Sequence, residues 1–215
     1  HDCVSYTNTA TFTTNTTGTT GSASVTVTVC RIPPQTGALT MGFWQNKNGQ
    51  GIINGANQTS LTTFLKSYAP FQDLSGSVAT YVYNTIKAAT AGGSTMNPML
   101  KAQMLATALD VYFSDPALGG NQIKAPAPIG GVKIDLTTVC AMIDSGSSAT
   151  CGGNFENVSS AFGGASSLTV SQMLTFAASQ SDLGGVNWYG NVKATQGLAK
   201  DAFDAINNQV AFQAP

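Results

Sequence analysis

The chain has 215 residues and a mass of 22.0 kDa, room for one ordinary domain and a short accessory element. Only 9% of the residues are charged, and a net charge of −1 excludes the basic track that a nucleic-acid backbone requires. No apolar run approaches the ~18 residues of a membrane span, whereas 42% hydrophobic residues suffice for a buried core.

The chain opens at His1 with no signal peptide, which reads as a mature or processed segment. Residues 1–30 alternate with period two. If Cys3 and Cys30 oppose each other in an antiparallel pair, Val4 faces Val29, Tyr6 faces Val27, Asn8 faces Val25 and Ala10 faces Ala23. The opposite side then pairs Ser5 with Thr28, Thr7 with Thr26 and Thr9 with Ser24. One register sorts apolar side chains to one face and hydroxyls to the other, and a one-residue slip would scramble both. Phe12 extends the apolar face, and the turn falls at residues 15–21. The predicted assembly face is therefore Val4, Tyr6, Phe12, Val25, Val27 and Val29. A lone two-stranded ribbon is marginal in water. Its cover can come from its own domain, a missing upstream domain or a neighbouring subunit.

The run Tyr6-Thr-Asn-Thr-Ala-Thr-Phe12, a Gly/Thr turn and Ser24-Val-Thr-Val-Thr-Val29 resembles the last hairpin of the immunoglobulin-like repeats of bacterial surface proteins. That resemblance covers about thirty residues and implies that the other strands of such a repeat are not in this chain. Residues 31–37, with Pro33 and Pro34, read as a stiff linker.

Beyond the linker the apolar period changes to about 3.6. Short helices are expected at Ser60–Tyr68 and Leu136–Ile143. Val78, Tyr81, Val82, Thr85, Ile86 and Ala89 form a helical stripe. Asn97 with Pro98 is expected as N-cap and first helical residue of Met99–Phe113, which places Leu105, Leu109, Tyr112 and Phe113 on one face. Asp115-Pro116 should stop it, and Asp135 should cap the helix that follows. Thr169 and Gln172 form a capping box, with Leu168 and Met173 placed as a hydrophobic staple, opening a helix through Ala178. A last helix is expected over Ala194–Phe212. Five Gly-Gly pairs, beginning at Gly119, Gly130, Gly152, Gly163 and Gly184, lack phosphate-cradling order and read as turns and close packing.

Thr40-Met-Gly-Phe-Trp-Gln-Asn-Lys-Asn-Gly49 resembles the Gly-aromatic-Trp opening motif, commonly G-Y-W-K-N-H, of C-terminal modules in secreted bacterial proteins. Phe43 stands for the Tyr and Gln45 for the Lys, and the His position holds Lys47 or is missing, so no role of that His transfers. The resemblance extends loosely over 38–215. Phe43 and Trp44 are expected as core anchors; the functional alternative is a sugar-stacking platform of Trp44, Trp188 and Tyr189.

Chemistry-bearing residues are few. His1 is the only histidine, so neither a Ser-His-Asp arrangement nor a zinc site has its parts, and a copper brace would lack its second histidine. Cys3, Cys30, Cys140 and Cys151 suit two disulfides, Cys3–Cys30 and Cys140–Cys151, in an oxidising compartment. Asn15, Asn57 and Asn157 begin N-x-S/T sequons. Glu156 is the sole glutamate. Asp110 with Asp115, or Asp201 with Asp204, would complete a carboxylate pair, although the latter two read as a solvated helix face. Asp182–Asn187 is a faint calcium candidate.

These observations predict an α+β chain: a disulfide-pinned, immunoglobulin-like β-ribbon over 1–30, a linker over 31–37, and a mostly α-helical domain with Gly-rich loops over 38–215. The expected function is an extracellular, secreted or cell-surface structural subunit that polymerises with copies of itself through the ribbon. A carbohydrate-binding or adhesive module with a polysaccharide partner is the alternative, and a carboxylate-dependent hydrolase using Glu156 and an Asp the second. No catalytic residue, metal or cofactor is assigned, and neither nucleic acid nor a membrane span is expected.

Overall fold

A computed structural model describes residues 3–30, 36–89, 95–141, 151 and 153–211, and for residues 3, 4, 29 and 30 the backbone only. The architecture is α+β, with an N-terminal two-stranded antiparallel sheet followed by a mostly helical region. The chain forms two compact units, His1–Pro34 and Gln35–Gln213. Of the predicted linker, residues 31–35 lie outside the described residues. Its last two, Thr36 and Gly37, instead belong to the helical body: Thr36 is buried and the Gly37 N–H donates to Gln209 Oε1 at 3.1 Å.

Strands β1 (Cys3–Thr13) and β2 (Thr20–Cys30) pair in the expected register, from Cys3 opposite Cys30 to Thr13 opposite Thr20. In the body, α1 (Met41–Gln45), α2 (Lys47–Gly55), α3 (Gln58–Lys66) and α4 (Val78–Lys87) follow in quick succession. Their caps are Thr40, Asn46, Asn57 and Ser77, each accepting from a backbone N–H of the first turn. None of these first turns carries an acidic residue. A chain with so little charge opens its helices with neutral oxygens, where others add a carboxylate against the helix dipole.

Helix α5 (Asn97–Ser114) is the axis of the body. The sequence predicts one apolar face, but the helix is buried nearly all round, with Gln103, Thr107, Asp110 and Ser114 sealed alongside its leucines. Asn97 is its first helical residue and Met96 its cap, one position earlier than the Asn-Pro pair suggests. α6 (Val170–Ser179) has the expected capping box between Thr169 and Gln172, and Met173 is buried. α7 (Lys193–Asn207) stops short of the predicted Phe212 because the chain turns through Gln209 at φ 61°. Val210 still reaches the core.

A buried polar seam joins α5 to α7. Asn207 Nδ2 donates to Gln103 Oε1 at 2.7 Å and to the Gln103 carbonyl at 3.0 Å, Thr107 Oγ1 donates to Asn207 Oδ1 at 2.7 Å, and Gln103 Nε2 donates to Asp204 Oδ1 at 2.7 Å. Each polar group in it has a partner, the condition under which burial is tolerated. Asp204 is consequently not on the solvated face that its spacing from Asp201 suggests; burial raises its pKa above the ordinary carboxylate value.

The predicted helix over Leu136–Ile143 is absent from its described part, residues 136–141. Asp135 ends β3 (Lys133–Asp135), which pairs with β6 (Ser167–Thr169). Its Oδ1 accepts from the Thr137 N–H at 2.9 Å and from the Thr137 hydroxyl at 2.6 Å, so it closes a turn and caps no helix. β4 (Val139–Cys140) then pairs with β5 (Phe155–Glu156), and a Cys140–Cys151 disulfide ties this corner.

Candidate functional site

On the ribbon, strand alternation places Tyr6, Phe12, Val25 and Val27 on one face, with exposures of 64%, 61%, 61% and 55%. Phe12 faces Gly21, and a Cβ there would lie 2.4 Å from the Phe12 ring, so the glycine makes room for the aromatic. The other face is a ladder of paired hydroxyls: Ser5 with Thr28 at 2.9 Å, Thr7 with Thr26 at 2.9 Å and Thr9 with Ser24 at 2.7 Å. Among the described residues neither strand has a second neighbour, so both outer edges keep unpaired amides and carbonyls. The side chains of Val4 and Val29, and the Cys3–Cys30 bond, lie outside the described residues.

The aromatic platform does not form. Trp44 and Trp188 are both fully buried and Tyr189 is mostly so. Trp44 stacks on Phe113 at 5.4 Å between centroids and takes the edge of Phe43 at 5.3 Å, which makes it the core anchor of the opening motif. Its Nε1–H donates to Asp110 Oδ1 at 3.1 Å, where the Leu39 N–H also donates, at 3.0 Å. Asp110 is fully buried, and despite two donors burial holds its carboxyl well above the usual range.

That placement removes the Asp110–Asp115 pair, since Asp115 sits at the C-terminal end of α5 and accepts from the Ala117 N–H at 2.8 Å. The two carboxyl groups that do meet are Glu156 on β5 and Asp201 on α7. Burial, then the neighbouring Asp201 charge, raise Glu156 above its ordinary pKa, and its Oε1 accepts from no group. Lys200 forms an ion pair with Asp201. Asp182, the calcium candidate, is engaged within its own loop. Asp182 Oδ1 accepts from the Val186 and Asn187 N–H groups at 2.8 and 3.0 Å, and its Oδ2 accepts from Asn187 Nδ2 at 2.7 Å, so the carboxylate serves to close its own loop.

A cluster with no motif to announce it lies elsewhere. Asp73 Oδ1 accepts from the Tyr81 hydroxyl at 2.7 Å, and Asp73 Oδ2 accepts from Lys101 Nζ at 2.6 Å. Lys101 also donates to the Gly184 carbonyl at 2.7 Å and sits 5.5 Å above the Tyr81 ring centroid. Burial, then the Asp73 hydrogen bond, push the Tyr81 phenol up. The nearest sequence signal is Lys101 itself, a lone cation in the first turns of an apolar helix.

No protein-family model, curated protein or solved structure matches this chain. Among the described residues no helix is long and apolar enough to cross a membrane.

Proposed function

We propose that the chain is a structural subunit of an extracellular or cell-surface assembly, polymerising through its N-terminal ribbon onto another copy of itself. The observation that carries this reading is the row of exposed Tyr6, Phe12, Val25 and Val27 on an isolated two-stranded sheet. Fully burying such side chains is worth ~1.5–3 kcal/mol each, and their present exposure leaves on the order of 5 kcal/mol per ribbon still to be gained. Strand addition at an open edge would satisfy backbone amides at the same time. A ribbon-to-neighbour contact of this kind is heterologous and need not close, so it extends into a fibre. The Cys140–Cys151 disulfide and the low charge support an oxidising, extracellular setting.

The test uses the full chain with Val25→Lys and Val27→Lys together, two exposed positions of the ribbon. Light scattering and electron microscopy of the wild type at high concentration should show ordered polymers. The double variant should be monomeric with the same helical circular dichroism. A wild type that stays monomeric, or a double variant that polymerises equally well, overturns the proposal.

A further inference from the structure

The helical body has an open cavity of about 640 Å³ at the N-terminal end of α5, walled by α4 and the loop that carries Gly184 and Gly185. This lies within the span of small-molecule sites, roughly 300–1,000 Å³. Among the described residues its only charged lining residues are Asp73 and Lys101, and they neutralise each other. Most of the remaining wall is uncharged and hydrogen-bonding, with Ser75, Thr80, Asn84 and Thr95 among it. Tyr81, Pro98 and Val186 supply apolar surface, Val186 being largely exposed.

Two features show that the cavity is built rather than left over. Gly185 has a φ of 70°, and a Cβ there would sit 2.8 Å from Trp188 Nε1 and 3.1 Å from Pro70 Cβ, so only glycine lets the loop lie this close. Asn97, 6% exposed, also lines it. Its Nδ2 donates to the Val186 carbonyl at 2.6 Å and to Asn191 Oδ1 at 3.3 Å, while its Oδ1 accepts from no group. These bonds pin the loop that walls the cavity to the first turn of α5.

We infer that this cavity binds a neutral saccharide. The chemistry of the wall selects among guests. An ion meets no net charge, because Asp73 and Lys101 cancel. A purely apolar guest would strip water from that ion pair and give nothing back. A sugar matches both demands: its hydroxyls donate to the free lone pairs of Asp73 and accept from the hydroxyls, amides and ammonium of the wall. Its C–H faces pack on Tyr81, Pro98 and Val186. The tryptophans play no part, since both are sealed in the core. This site is independent of ribbon assembly.

The experiment titrates the full chain with three neutral probes, chitotriose, cellotriose and mannotriose, by isothermal calorimetry at millimolar concentration, with sodium sulfate as the charged control. Asn84→Trp, an exposed α4 position on the cavity wall, fills the space without touching the core. At least one trisaccharide should bind, sulfate should not, and Asn84→Trp should weaken binding at least about tenfold with an unchanged melting temperature. The Val25→Lys, Val27→Lys chain should bind as the wild type does, which separates this inference from the assembly proposal. Failure of all three sugars to bind, binding of sulfate alone, or sugar binding indifferent to Asn84→Trp would each overturn it.

Discussion

Replacing Asp110 by Asn should change how the stability of the body responds to pH. In the folded chain Asp110 is fully buried, its Oδ1 held by Trp44 and Leu39 and its Oδ2 without a partner. Burial is the largest influence and raises its pKa well above that of the unfolded chain, ~3.9. Below that value both states carry the proton and the stabilisation is fully present. Above it the unfolded chain releases the proton while the folded chain retains it. Stability therefore falls by ~1.4 kcal/mol for each pH unit until the folded pKa is passed. The Asp110→Asn chain cannot titrate there and keeps an acceptor for Trp44 and Leu39, so this component of the slope vanishes. Urea melts followed by tryptophan fluorescence, at successive pH values from about 4.5 upward, give the difference in unfolding free energy between the two chains. Glu156 and Asp204, also raised by burial, cancel in that difference. The wild type should lose stability relative to the variant as pH rises. Parallel profiles, or a wild type that gains on the variant with rising pH, would refute the assignment of Asp110 as a buried, protonated acid.

Trp44→Ala should lower the stability of the body by ~3–5 kcal/mol, because it empties a fully buried ring site; a melt within about 1 kcal/mol of wild type would contradict its role as anchor. Gly49→Ala should cost at least ~2–3 kcal/mol, since the new Cβ would lie 2.3 Å from the Phe43 carbonyl oxygen and 2.6 Å from Trp44 Cα, backbone atoms that cannot step aside. Differential scanning calorimetry reads it directly. Replacing both Cys140 and Cys151 by Ser opens a loop of sequence separation 11 and should remove ~3 kcal/mol in the chain-entropy account. Wild type melted with and without reductant should show the same loss.

The ribbon was legible from sequence because its determinants are local and periodic. Period-two alternation, a turn rich in Gly and Thr, and two cysteines at the ends admit one register that keeps valines from hydroxyls, and that register is the one observed. Helices α4 to α7 were legible for a similar reason, since the Thr169 capping box and the 3.6 repeat act within a turn or two of themselves. Tertiary structure decided the rest. Leu136 and Val139 are spaced as on a helix, yet pairing with Phe155–Glu156 and the link to Cys151 make that segment a strand and a turn. Asp201 and Asp204 share a helical spacing, but α7 packs on α5 through Asp204 while Asp201 meets Glu156 across the corner. Trp188 carries nothing in its flanking residues that says whether its ring faces water or core; only the elements closing over it do. Asp73, Tyr81, Lys101 and Gly184 are scattered over more than a hundred residues, and no periodicity joins them, because what brings them together is the packing of α4, α5 and a glycine loop around one space.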